Sequence, residues 1–166
     1  MSIVRDAVTA DMGAVTAIYN HAVAHETSTW DHDPMSLDDR MAWFEDRRAA
    51  GFPVLVAEVD GRVVGNAQLT VWGSEGEIGS IVVAESHRRQ GLARRLIAAL
   101  VAEAQARELD ALDIGVHRDK PHLRAFYESL GFRPIKKSGP MPTFFEPIIT
   151  LRLPLQALRK NGREIA

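Results

Sequence analysis

The chain has 166 residues and a mass of 18.4 kDa, the size of one domain that buries a core without needing a metal or a disulfide. Hydrophobic residues make up 46% and charged residues 25%, a globular balance that excludes disordered, collagen-like and coiled-coil chains. The net charge of −2 and the absence of cysteine exclude a global basic field for nucleic acid, disulfides, cysteine-ligated zinc and a cysteine nucleophile.

The amino terminus, MSIVRDAVTADMGAV, meets its first acid at Asp6 without an apolar segment after it, so no signal peptide is expected. No stretch approaches the ~18 uncharged apolar residues of a membrane span, and a soluble cytoplasmic protein is expected. Ser2–Val8 reads as a strand and Thr9 as the cap of a helix carrying Ala14, Ile18 and Ala22 at helical spacing. The loop TSTWDHDP follows. Ser36 then starts a second helix with Asp39 three residues on; its apolar stripe is Leu37, Met41 and Phe44, and Gly51 ends it. VLVAEV and RVVGNAQLTV form a hairpin around Asp60-Gly61, and EIGSIVVA is one further strand. Leu92, Leu96, Leu100 and Ala104, with Ala93, Ile97 and Val101 beside them, mark an amphipathic helix to about Arg107. ALDIGV is a buried-type strand, and Pro121 opens a helix that ends near Leu130 before Gly131. FRPIKK and PIITLRLPL are closing strands, and LRKNGREIA a solvated tail. The order β-α-α-β-β-β-α-β-α-β-β predicts an α/β (α+β) protein, one domain over residues 1–166 without repeat or linker.

The most informative chemistry lies where GSIVVA runs into ESHRRQGLARRL. Arg88, Arg89, Arg94 and Arg95 crowd the start of the longest helix, where the macrodipole is already positive and each exposed cation costs ~0.3–1 kcal/mol. A bound anion reverses that sign, and free N–H groups with the permissive Gly91 make a phosphate cradle. Neither G-x-x-x-x-G-K-[ST] nor G-x-G-x-x-G occurs in the chain, so this is neither a P-loop nor a dinucleotide fingerprint. No aromatic residues interleave the arginines, so no nucleic-acid partner is expected.

Arg88-Arg89-Gln90-Gly91-Leu92-Ala93 resembles the [RQ]-x-x-G-x-[GA] loop of the GNAT superfamily of N-acyltransferases, and AFYESLGF (125–132) resembles that family's second signature. The element order fits as well. The resemblance implies a mixed, mostly antiparallel central sheet of about seven strands flanked by four helices, and acetyl-CoA as cofactor. It implies that Arg88, Arg89, Gln90, Gly91, Leu92, Ala93 and Arg94 hold the pyrophosphate, and that Ile81, Val82 and Val83 pair with the pantetheine arm. The second signature departs at one point: Asp119 and Lys120 stand where the family carries an asparagine, so its cofactor contact is expected to be either missing or remade by Lys120.

Acetyl transfer to an amine requires removal of a proton from the ammonium, a donor for the oxyanion and an acid for the departing thiolate. The resemblance implies Glu77, which opens the strand leading to the loop, as general base, with Glu75 and His117 as alternatives. It implies Tyr127 as general acid beside the sulfur. His21 and His25 stand at i, i+4 without a third ligand, so no metal is expected. No Gly-x-Ser-x-Gly elbow is present, so no serine triad is expected.

Ile18–Phe44 and PVLVAEVDGRVVGNA are similar to the phosphinothricin and methionine sulfoximine acetyltransferase group. This likeness implies a small amino-acid-like amine acceptor, a homodimer, and acceptor contacts from Thr29, Trp30 and Glu75. The segment WGSEGE is short and acidic where the group is long and basic, and alignment on Ser80 puts Ile78, not Glu77, at the group's glutamate. An acidic pocket from Glu75, Glu77 and Asp31 fits a lysine, polyamine, aminoglycoside or peptide N-terminus instead. A noncatalytic acyl-CoA-binding module is the alternative of another class.

Overall fold

The computed structural model describes residues 1–25, 33–79, 81–136 and 148–161. In chain order its elements are β1 (Ser2–Asp6), a 3-10 turn (Thr9–Asp11), α1 (Met12–His25), α2 (Leu37–Ala49), β2 (Val54–Val59), β3 (Arg62–Trp72), β4 (Glu75–Ile78), β5 (Val82–Val83), a second 3-10 turn (Glu85–His87), α3 (Leu92–Ala106), β6 (Ala111–His117), α4 (Pro121–Ser129), β7 (Arg133–Ile135), β8 (Ile148–Pro154) and α5 (Leu155–Asn161). The chain divides into two compact units, Met1–Thr70 with Ile78–Glu103 and Val71–Glu77 with Ala104–Ala166.

In the first unit, β1, β2, β3 and β5 pair in that order, all antiparallel. Asp60 and Gly61 both take positive φ, 49° and 79°, the backbone that a tight two-residue hairpin turn demands. Val54 and Val56 of β2 pack with Met12 and Val15 of α1 and Phe44 of α2. Tyr19 and Ala22, further along α1, pack on Val82 of β5. Leu92, Leu96 and Leu100 are all buried, as their four-residue spacing predicts. Ser36 caps α2, its Oγ accepting from the Asp39 N–H at 3.1 Å, and Gly51 ends the helix at φ +71°.

In the second unit the order is β4, β6, β8, β7; β4–β6 is parallel and the other two pairs are antiparallel. Pro121 occupies the first turn of α4, and Gly131 follows that helix at φ +102°.

Four expectations are corrected. The segment 77–84 is not one strand, because β4 ends at Ile78 and β5 starts at Val82; the described residues therefore hold eight strands. Thr9 does not cap α1. Val8 takes the cap position of the preceding turn, and its N–H donates to Asp11 Oδ2 at 2.8 Å. Leu37 and Met41 are 46% and 36% exposed, whereas Arg40 is 3% exposed. Its guanidinium lies 4.6 Å from the Tyr19 ring centre and 4.7 Å from that of Trp43, so cation–π contacts on both rings let a charged residue take the inward position. Finally, residues 158–161 of the expected tail belong to α5, which is anchored by the fully buried Leu155. The Leu155 N–H donates to the Asp110 carbonyl at 2.9 Å.

Arg5 ties β1 to the start of α1. Its guanidinium donates to both Asp11 oxygens at 2.7 and 3.0 Å and to Glu58 Oε2 at 2.8 Å. That pairing holds the Asp11 carboxyl below its ordinary value. A depressed folded-state pKa stabilises the fold fully above the unfolded value near ~3.9, and the contribution drains away as the pH falls through the folded value. Asp11→Ala is expected to cost about 2 kcal/mol at pH 7, a fall of roughly 4–8 °C in Tm. Thermal melts as a function of pH should show the gap from the parent protein closing below about pH 4.

Candidate functional site

The second 3-10 turn folds the chain after β5 through His87 N–H to Ala84 O at 2.9 Å and Arg88 N–H to Glu85 O at 3.3 Å. Arg89 and Gly91 then adopt left-handed φ of 60° and 77°. A non-glycine residue held there carries strain, and the conformation turns successive N–H groups to one side. At the start of α3, Arg95 N–H donates to Gly91 O at 3.1 Å. The N–H groups of Arg89, Gln90, Gly91, Leu92 and Ala93 donate to none of the described residues. Five such donors at the start of a 15-residue helix are the chemistry of a phosphate site, so the loop fits the pyrophosphate of coenzyme A.

Arg88 and Arg89 are exposed and Arg94 is half-buried beside this cradle. Arg95 turns elsewhere: its guanidinium donates to Ser2 Oγ and, at 3.0 Å, to the Ser2 carbonyl. Val83 lies opposite Gly65 and Val82 opposite Asn66, and Ala84 N–H donates to Val64 O at 2.7 Å. By the alternation of an antiparallel ladder, Val83 then presents its own N–H and C=O away from β3, where Arg88 Nε donates to its carbonyl at 3.2 Å. Ile81 is half-buried just before β5. A cavity of about 550 Å³ adjoins this strand, lined by Ala17, Ile18 and His21 of α1 and by Val83, Ala84, Glu85, Ser86 and Arg88. His21 Nε2 stands 3.6 Å from Glu85 Oε2 across it.

The second unit holds the acid–base candidates. Glu75 and Glu77 alternate with the buried Gly76 and Ile78 along β4, so the two carboxylates share one face, and Glu77 is exposed. Ile78 is 3% exposed and has no acid–base chemistry. Glu77 lies opposite Asp113 in the parallel pair with β6. Glu75 is ion-paired: Arg152 NH2 donates to its Oε2 at 2.8 Å. The same guanidinium donates to Asp113 Oδ1 and Oδ2 at 2.7 and 2.9 Å. Asp113 and Glu75 together raise the Arg152 pKa above its ordinary value, so Arg152 stays charged. Tyr127 is 8% exposed on α4, with edge contacts to the Phe126 and Phe132 rings at 5.2 and 5.8 Å. Burial pushes its phenol above the usual value, which keeps the proton on the oxygen. Lys120 is the half-buried cap residue of α4, and its ammonium has no hydrogen-bond or ion-pair partner among the described residues. His117 ends β6, and its carbonyl accepts from the Lys120 N–H at 3.1 Å. Thr29, Trp30, Asp31 and Ser80 lie outside the described residues.

Two features were not read from the sequence. Arg152, in a closing strand, gave no signal because its partners lie 39 and 77 residues away. Gly79 gave none because its requirement is a contact: a Cβ there would come within 2.3 Å of Gln68 Nε2.

A short strand running into an N–H-rich loop and a long helix is the arrangement of a phosphate-anchoring α/β protein. Residues 15–132 match the Acetyltransferase (GNAT) family. The L-methionine sulfoximine/L-methionine sulfone acetyltransferase of Salmonella typhimurium is 35% identical over 134 residues, 78% of each chain. The phosphinothricin N-acetyltransferase of Streptomyces viridochromogenes is 32% identical over 138 residues, 78% of this chain and 73% of the relative. The structure of a putative acetyltransferase from Salmonella typhimurium with its cofactor acetyl-CoA superposes with a TM-score of 0.80 at 31% identity, over 93% of this chain and 94% of that one. The chain belongs to the GNAT family, has its mixed-sheet fold, and is an acetyl-CoA-dependent N-acetyltransferase.

Proposed function

We propose that the protein acetylates the primary amine of a small amino-acid-like acceptor, of the methionine sulfoximine or phosphinothricin kind, by direct attack in a ternary complex. The loop from Arg88 to Ala93, with five N–H groups directed at no described residue, supports the cofactor half of this reading. The acceptors named for the relatives support the other half. Arg152 on Glu75 weighs against a polyamine or aminoglycoside, since it neutralises one of the acids such a cation would need.

Acetyl-CoA supplies an acetyl group activated as a thioester. The N–H groups of Arg89 to Ala93 and the guanidiniums of Arg88, Arg89 and Arg94 bind its pyrophosphate, and the open edge of Val83 pairs with the amides of its arm. Lys120 takes the contact made elsewhere by asparagine. Glu77 accepts the proton of the acceptor ammonium, leaving a lone pair free to attack. Tyr127, which keeps its proton through the neutral range because it is buried, donates to the leaving sulfur. Thr29 and Trp30 contact the acceptor. Because acetyl-CoA is made and used inside cells, the reading includes a cytoplasmic location; it also includes the homodimer implied by the resemblance, which light scattering checks.

The test is release of free thiol from acetyl-CoA that depends on added L-methionine sulfone. Glu77→Gln and Tyr127→Phe are each expected to lower kcat by about a hundredfold, whereas Glu75→Gln stays close to the parent. Turnover that is unchanged in both Glu77→Gln and Tyr127→Phe removes their assigned roles. Binding of acetyl-CoA without thiol release for any amine makes the protein a noncatalytic binder.

A further inference from the structure

Val54 lies opposite Gln68 and Val56 opposite Asn66, so both amides of β3 share the face on which the valines pack against α1 and α2. On its other side Asn66 is opposite Val82, itself covered by Tyr19 and Ala22 of α1. An apolar side chain would satisfy such a position. Yet Asn66 is 1% exposed, and its Oδ1 has no hydrogen-bond partner among the described residues. The Oε1 of Gln68, also buried, has none either. Unpaired buried oxygens cost stability unless a ligand supplies the donors.

Their place says which ligand. The Gln68 carboxamide lies over Gly79, where a Cβ would come within 2.3 Å of Nε2 and 2.5 Å of Cγ. Gly79 N–H in turn donates to the Gln68 carbonyl at 2.9 Å. The amide is thus seated on the break between β4 and β5. The phosphate loop follows β5, so a cofactor arm traced back from it along Val83 runs toward this break and brings the thioester end there.

We propose that Asn66 Oδ1 and Gln68 Oε1 accept the two N–H bonds of the acceptor amine and aim its lone pair at the thioester carbon, an inference that rests on the acetyltransferase reading above. Gln68 is the more open of the two, and Asn66 lies one pleat further under α1. In the step they orient, an N–C bond forms, the C–S bond breaks, and the proton lost by nitrogen is matched by the one gained by sulfur. Neutral acceptors suit this task because they bind the N–H groups without supplying a charge that would hold nitrogen in its ammonium form.

The test is steady-state kinetics of Asn66→Leu, Gln68→Leu and Asn66→Asp with the best of L-methionine sulfone, an alanine-initiated peptide and spermidine. Each leucine variant is expected to raise the KM of the amine roughly tenfold, with the KM of acetyl-CoA within about twofold. Asn66→Leu should melt no lower than the parent, and Asn66→Asp, which keeps an oxygen acceptor but adds a charge that holds nitrogen as ammonium, should keep the amine KM near the parent while lowering kcat. An unchanged amine KM in both leucine variants overturns the proposal while leaving the acetyltransferase reading intact. A rise in the KM of acetyl-CoA instead assigns the amides to the cofactor arm and also overturns it. If the parent protein neither melts higher with acetyl-CoA nor turns over any of the three amines, the underlying reading fails, and this inference with it.

Discussion

Gly91→Val is expected to abolish most of the thermal stabilisation given by acetyl-CoA. Gly91 sits at φ +77° with nothing within 4 Å of a built Cβ, so space does not exclude a side chain there; the backbone does. A β-branched residue in the left-handed region is a true outlier, with strain of about 1–3 kcal/mol. The loop relieves it by rotating out of the conformation that aligns the N–H groups of Arg89 to Ala93. At acetyl-CoA near 100 times its Kd, linkage stabilises the parent by ~2.7 kcal/mol, a rise of roughly 5–11 °C. A hundredfold weaker variant at the same concentration gains only ~0.4 kcal/mol, about 1 °C. Gly73 provides the control. It too has positive φ, +59°, and open space for a Cβ, but lies in the turn between β3 and β4. Gly73→Val should therefore lower the unliganded Tm by a similar amount yet keep the full ligand shift. Equal ligand shifts in the two variants would remove the loop from the cofactor site.

The contrast between these two glycines marks what sequence reading reaches. Gly91 is legible because it falls inside a local pattern of arginines, strand and amphipathic helix, all within a dozen residues. Gly131 and the Asp60-Gly61 turn are legible for the same reason, since backbone conformation follows from neighbours in the chain. The hydrophobic spacing of α3 and the alternation of the hairpin strands carry most of the element order. What escapes is long-range. Arg40 breaks the helical stripe of α2 because two aromatic rings, one of them on α1, receive its guanidinium. The strand break at Gly79 depends on Gln68, and the coupling of Glu75 to Arg152 spans 77 residues. Glu77 could be named from its place before the loop, but only the register of β4 against β6 shows that it shares a face with Glu75 and lies opposite Asp113. Nor does periodicity expose Asn66, which occupies a strand position whose cross-strand neighbours on both sides are valines.

Arg152→Met is expected to be the most damaging single change to stability in the second unit, and Glu75→Gln among the mildest, although the two residues form one network. The asymmetry follows from burial. The Asp113 side chain is 4% exposed and that of Glu75 43%. Losing Arg152 takes the guanidinium off both oxygens of a buried carboxylate, a cost of about 3–5 kcal/mol and a fall of roughly 6–20 °C in Tm. Water takes over the contact that Glu75 loses, so Glu75→Gln costs under about 1 kcal/mol. The double variant Arg152→Met with Asp113→Leu removes the buried carboxylate together with its guanidinium and should recover most of the loss, because a buried pair contributes little net stability over apolar residues that fill the same space. Differential melts of the three variants decide the matter. Similar losses in Glu75→Gln and Arg152→Met, or no recovery in the double variant, would mean that Arg152 acts by packing rather than by compensating Asp113. With the predicted pattern, Arg152 is the group that lets an acid lie buried opposite Glu77.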